Sequence, residues 1–257
     1  MKIQLLAAVA VACLALSARA GSIDVQFGCT SGSCNGAPGP SGYTQSQTGA
    51  AVTGNTGDQW NMAASNYGSG SISSLVDTSG ISTGVSLTWS ASNEWNENLY
   101  QPSSPNPYYN DTAFHGTAYE NLMASYLVFT SPPGSLEITG LSAGEEYGMY
   151  LYTQANQNTG GRVADFDVNG VDVSTTQVNA DTLNTFVLGQ NYTYADVLAD
   201  ANGDINVAIT GSYEGDVNGF QLVSLSSASA PEPATAGLML LALGAGASLL
   251  HRLRQSR

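Results

Sequence analysis

The residues most able to do chemistry are few. Gly80-Ile-Ser-Thr-Gly84 fits the spacing of a hydrolase nucleophile elbow, with Ser82 at its centre. That elbow requires a strand-to-helix turn, and the residues that follow, VSLTWSA, alternate as a strand does, so a turn between strands is expected. His115 is the one imidazole outside the terminal segments, and no partner for it is visible in the sequence. A glycosidase needs two carboxylates facing each other across a sugar. Glu94, Glu97, Asp111 and Glu120 lie in a suggestive region, but acids occur throughout the chain and nothing marks out a pair. A non-catalytic protein is expected.

Metal and thiol chemistry are next. DFDVNGVD places Asp165, Asp167 and Asn169 at alternate positions, like the opening of a calcium loop, but the position where that loop needs its Glu is Thr176. Alternation and Asn-Gly already account for the stretch as a hairpin. DANGD (200–204) and EGDVNG (214–219) are acidic and turn-like. They leave room for calcium without defining ligands. Cys29 and Cys34 form a close pair in GCTSGSC with no second pair or nearby His, which favours a local disulfide over a metal site. A long non-strand stretch, SNEWNENLYQPSSPNPYYNDTAFHGTAYE, gathers Trp95, Tyr100, Tyr108, Tyr109 and Tyr119 among amides and acids. Aromatic faces stack on the apolar faces of sugars while amides and acids bond the hydroxyls, so these five are candidate glycan contacts. The plainer reading is that they pin a long loop to the sandwich edge.

The ends of the chain define where such a domain works. Lys2 precedes an apolar stretch from Leu5 to Leu16, followed by Ala18-Arg19-Ala20, the pattern of a secretory signal peptide cut before Gly21. From Ala234 to Leu250 no residue is charged, and Arg252, Arg254 and Arg257 follow. As a helix this run would extend roughly 25 Å, at the short end of a membrane span. The arginines orient it with the preceding domain outside the cytoplasm.

Pro231-Glu232-Pro233, the apolar run and the arginines together resemble the PEP-CTERM sorting signal of exported bacterial proteins. The resemblance implies recognition by an exosortase at the inner membrane, after signal peptidase has acted. It also implies removal of the tail near the motif and delivery to the cell surface or extracellular matrix.

Residues 1–20, 21–226 and 227–257 are thus read as signal peptide, ectodomain and sorting signal, with a helix at 234–250 and a basic tail at 251–257. Between residues 21 and 230 one arginine, Arg162, stands against nineteen carboxylates, a formal charge of −18. That surface repels nucleic acid. Short alternating segments such as IDVQFG, TFVLG (185–189) and INVAITG, bounded by Gly, Asn, Ser and Pro, read as strands and predict an all-β, two-sheet sandwich. LEITGLSAGEEYGMYLY, DFDVNG and the closing VNGFQLV resemble galactose-binding-domain-like jelly rolls, which implies that fold for the ectodomain. An exported surface or matrix protein that binds or organises exopolysaccharide is the leading expectation, with no required cofactor. A purely structural or adhesive matrix protein and a glycan-active enzyme are the alternatives.

Overall fold

The computed structural model describes residues 22–29, 47–65, 68–96, 113–114, 116–130, 133–155, 162–176, 183–211 and 215–225. The expected signal peptide, the apolar run, the PEP motif and its arginines (Pro231, Glu232, Pro233, Arg252, Arg254, Arg257), Cys34 and the Cys29 side chain lie outside them. Among the described residues no helix is long and apolar enough to cross a membrane.

Two sheets face each other. The first runs in the order β11 (Tyr192–Leu198), β8 (Glu146–Tyr152), β14 (Gly219–Ser224), β1 (Ile23–Cys29) and β2 (Asn61–Ser65). The second runs β10 (Val171–Thr176), β9 (Val163–Val168), β12 (Ile205–Gly211), β7 (Gly134–Thr139), β4 (Ser86–Ser90) and β3 (Ser69–Ile72). A small third sheet joins β13 (Gly215–Val217), β6 (Ser125–Phe129) and β5 (Asn93–Asn96). The chain passes from one large sheet to the other between β2 and β3, β7 and β8, β8 and β9, β10 and β11, and β11 and β12. β1 and β2 pair in parallel; every other ladder among the described strands is antiparallel.

Period-two alternation builds the sandwich. In β12, Ile205, Val207 and Ile209 are buried while Asn206, Ala208 and Thr210 are exposed. In β9, Ala164, Phe166 and Val168 are buried between exposed Asp165 and Asp167. The inward residues meet in one core, where the Phe27 ring packs edge-on against Trp89 at 5.9 Å and lies 6.3 Å from Phe220. Fully burying such a side chain is worth about 1.5–3 kcal/mol. Asn169-Gly170 forms the expected two-residue hairpin between β9 and β10, with φ of 47° and 87°.

One expected strand is corrected. TFVLG (185–189) makes only an isolated bridge, Leu188 to Tyr192. Gln190 and Asn191 donate their N–H groups to the Val187 carbonyl and Asn191 Oδ1 accepts the Val187 N–H, closing a turn instead. The strand in this region is YTYADVL, β11. The only helix among the described residues is a single turn, α1 (Glu120–Met123).

Candidate functional site

The outer face of the five-stranded sheet is where the molecule departs from simple alternation. Along β8, Tyr147, Met149 and Leu151 enter the core between the sheets. Gly148, Tyr150 and Tyr152 therefore face the other way. On neighbouring β11, Tyr192, Tyr194 and Asp196 share that outer face. The register sets Tyr192 opposite Tyr152, Tyr194 opposite Tyr150 and Asp196 opposite Gly148. Two Tyr-x-Tyr repeats, 150–152 and 192–194, thus lie side by side. The Tyr150 and Tyr194 rings are 4.7 Å apart, centroid to centroid.

Gly148 is what lets Tyr194 lie down. A Cβ there would meet Tyr194 Oη at 2.8 Å and Cε2 at 3.0 Å, so the ring rests on bare backbone. Its hydroxyl donates a hydrogen bond to Asp196 Oδ1. Partial burial, together with that donated bond and the nearby negative charge, holds the Tyr194 hydroxyl above the ordinary phenol range. It remains a protonated donor. Tyr150, Tyr192 and Tyr194 are half-buried.

The stripe continues inward and becomes covered. Tyr152, wholly buried, lies 5.1 Å from Phe186 and 6.3 Å from Trp60. Phe186 in turn lies 4.9 Å from Tyr119 and 5.2 Å from Phe114. Residues 47–60 close over this end as a strap. Its arms are joined by the Gly49 N–H to the Asp58 carbonyl (2.8 Å) and by Trp60 Nε1–H to the Gly49 carbonyl (2.8 Å). Its tip hangs from the sheet: the Val52 N–H donates to Tyr152 Oη (3.1 Å), and Gln221 Nε2 donates to the Thr53 carbonyl (3.2 Å).

Of the five aromatics expected to touch glycan, Tyr119 belongs to this stripe. Trp95 does not: it packs with Tyr126, Val128 and Ala155 in a separate cluster on the small sheet. Tyr100, Tyr108 and Tyr109 lie outside the described residues, as do His115, Glu97 and Asp111. Glu94 is buried on β5, whereas Glu120 opens α1 and accepts the Gly116 N–H at 2.7 Å. Ser82 sits on a turn between Gly80 (φ 84°) and Gly84 (φ 75°) that leads into β4, and its Oγ lies 2.6 Å from Ser74 Oγ. That is the expected strand-to-strand turn.

The acidic loops are engaged by their own backbone. Asp200 Oδ1 accepts the N–H groups of Asn202 (2.7 Å) and Asp204 (3.0 Å), which holds its carboxyl below the usual range. Asp167 Oδ1 accepts the Gly170 N–H (2.6 Å). Asn169 donates to the Leu198 and Asp204 carbonyls (both 3.0 Å) and accepts from the Asn206 N–H (2.8 Å). Asp216, from EGDVNG, is buried and lies 3.6 Å from Arg162 Nη1. Among the described residues no group of three or more His, Cys, Asp or Glu is placed to hold a metal ion.

The tyrosine pairs of β8 and β11 are what sequence reading missed. Their signal was present as YLY and YTY, since an i, i+2 spacing puts both rings on one side of a strand. Nothing in the local pattern says that the two strands are neighbours.

No protein-family model matches the chain, and no curated protein does. Solved structures similar to it include the CBM35 module of Abf62 from Cellvibrio japonicus. That likeness has 11% identity, covers 40% of this chain and 76% of that one, and has a TM-score of 0.31. A family 35 carbohydrate-binding module from Clostridium thermocellum is 21% identical over 36% of this chain and 71% of that one, at a TM-score of 0.25. A Bacteroides uniformis β-glucuronidase is 11% identical over 65% of this chain and 20% of that one, at a TM-score of 0.38. Likenesses this partial carry no activity to the present chain.

Proposed function

We propose that the protein is an exported, non-catalytic glycan-binding protein whose binding face is the open end of the tyrosine stripe, Tyr150, Tyr192 and Tyr194. The observation that carries this reading is the pairing of two Tyr-x-Tyr repeats across β8 and β11, which sets half-exposed rings on a rigid sheet. Sugar rings stack on such surfaces. The Tyr194 hydroxyl and the Asp196 and Glu146 carboxylates rim it with hydrogen-bonding groups. The ligand class that suits a domain of formal charge −18 is a neutral, hydroxyl-rich polysaccharide, since an anionic chain would be repelled. Tyr119 belongs to the covered continuation of the face, and Trp95 plays a packing role on the small sheet.

The reading is tested by affinity electrophoresis of residues 21–226 through gels containing neutral polysaccharides. Wild type is expected to be retarded by at least one. Tyr194→Ala removes an aromatic contact worth about 0.5–1.5 kcal/mol and so weakens retardation roughly two- to twelvefold. Tyr150→Ala with Tyr194→Ala abolishes it, while far-UV circular dichroism stays unchanged. Retardation untouched in the folded double variant retires this face.

Delivery to the surface is part of the same proposal and rests on the tail. In a host that has an exosortase, wild type is expected to be released without its C-terminal segment. Replacing Pro231-Glu232-Pro233 by alanines leaves full-length protein in the membrane fraction, as mass spectrometry would show. If both proteins keep the C-terminal segment, the sorting role is dismissed.

A further inference from the structure

Asp24 lies on the outer face of β1 beneath the strap, with no solvent exposure. It is poorly provided for. Gln221 Nε2 donates to its Oδ2 at 2.8 Å, while Oδ1 has no hydrogen-bond partner among the described residues. Gln221 has nothing more to give. Its amide also donates to the Thr53 carbonyl, and its Oε1 accepts from Tyr152 Oη and from the Thr53 N–H. All four hydrogen-bonding positions of the amide are used. A buried carboxylate served by one donor is costly, and a neutral acid in the same place is much less so.

The charged surroundings make ionisation harder. Asp58, at the root of the strap and itself only 8% exposed, adds like charge to Asp24. β14 has no titratable side chain, and on its far side β8 presents the neutral hydroxyl of Tyr152. β2 contributes Asn61, whose Nδ2 donates to the Asp24 backbone carbonyl and not to its carboxylate. β5 and β6, which also pack against β1, carry Glu94 and Tyr126. Arg162, the one Lys or Arg between residues 21 and 230, lies beside Asp216.

Asp24 and the strap therefore share a single connector. Gln221 holds Asp24 on one side and Thr53 on the other, and the tip's other tie to the sheet runs from the Val52 N–H to Tyr152 Oη. With the strap seated, Asp24 has no solvent exposure. We propose that residues 47–60 form a proton-operated cover: protonated Asp24 keeps the strap seated on Gln221 and Tyr152, and ionised Asp24 beside Asp58 lifts it, uncovering the Tyr152 end of the aromatic stripe. The proposal stands on the strap and its anchors, independently of any glycan. Burial raises the Asp24 carboxyl to about 7, which places the change close to neutrality.

Hydrogen exchange of the Val52 and Thr53 amides in the full chain, corrected for intrinsic rates, tests it directly. With the proton bound about three pH units more tightly in the closed state, protection should fall roughly thirtyfold between about pH 5.5 and about pH 8.5. Asp24→Asn should be protected equally at both values, and Asp58→Asn should move the wild-type transition to lower pH. If Asp24→Asn does not fold, the wild-type profile decides: a transition near neutrality at 52–53, absent at the Ile81 amide of the Asp77 turn, supports the cover. A flat wild-type profile overturns it. So does added calcium that restores protection at high pH, since the carboxylates would then hold a cation and not a proton. Loss of polysaccharide retardation in the tyrosine variants leaves this readout unaffected, so the two proposals fail separately.

Discussion

Arg162 enters β9 with its side chain 15% exposed, and its Nη1 lies 3.6 Å from a carboxylate of Asp216 that is 2% exposed. With nineteen acids between residues 21 and 230 and one base, it is notable that the base goes to an acid that is out of water. Taking away one member of a buried pair leaves the other unsupported, at a cost of about 3–5 kcal/mol. Arg162→Met is therefore expected to lower Tm by roughly 10 °C or more, and adding Asp216→Leu should recover most of that loss. Calorimetry of the three variants checks it; equal Tm values for the single and double variants would show that the pair is not the cause. Asp24 sets the pH dependence at this scale. Its folded value, about 7, lies above the ordinary 3.8, so its stabilising effect is complete in acid and is lost as pH rises through about 7. The difference corresponds to no more than roughly 4 kcal/mol. Tm measured from about pH 5 to about pH 8 should decline in wild type and decline less in Asp24→Asn. Neither residue announced its role in the sequence. Arg162 stood out by scarcity alone, and its partner arrives on a strand far along the chain.

At the level of elements, the strands that could be read were those with one dry and one wet face. β9 and β12 alternate cleanly because Asp165, Asp167, Asn206 and Thr210 all point to solvent. β11 hid its alternation. Thr193, Ala195 and Val197 go inward, and its outward set begins with Tyr192 and Tyr194, so both faces carry large or apolar groups. The same dryness that makes the stripe a candidate site blurred the strand that holds it. β2, β3 and β5 escaped notice for a different reason, being short and rich in small or amide residues. Gly70 on β3 shows why one of them must be small: a Cβ there would meet the Trp89 ring. The β9–β10 hairpin was legible from Asn-Gly, but not the second task of Asn169, which ties that turn to Leu198, Asp204 and Asn206. Asn169→Ala loses both the tolerance for positive φ and those bonds. An exposed network of this kind should cost about 2–3 kcal/mol, seen as a lower urea midpoint with an unchanged slope. A midpoint equal to wild type would show that the turn holds itself.

For the whole molecule the dominant quantity is charge. A formal −18, with one buried ion pair among the described residues, means that cohesion comes from the apolar core and the ladders, against self-repulsion. Raising salt from about 0.01 M to about 1 M shortens the screening length from about 30 Å to about 3 Å, and Tm should rise by several degrees. Millimolar calcium should do part of the same work. A Tm indifferent to both would mean that the acids are spaced widely enough not to matter. The arrangement of the first sheet has a further result, one of timing. β1, from the beginning of the domain, lies between β2 and β14, and Ile23 faces Leu222. The sheet has a gap at its middle until the final strand exists. Contacts so distant along the chain close slowly, and no shorter N-terminal piece contains them. A growing chain therefore stays unfolded until residues 219–224 have been made, and truncation before Gly219 should yield material that aggregates or is degraded instead of a smaller domain.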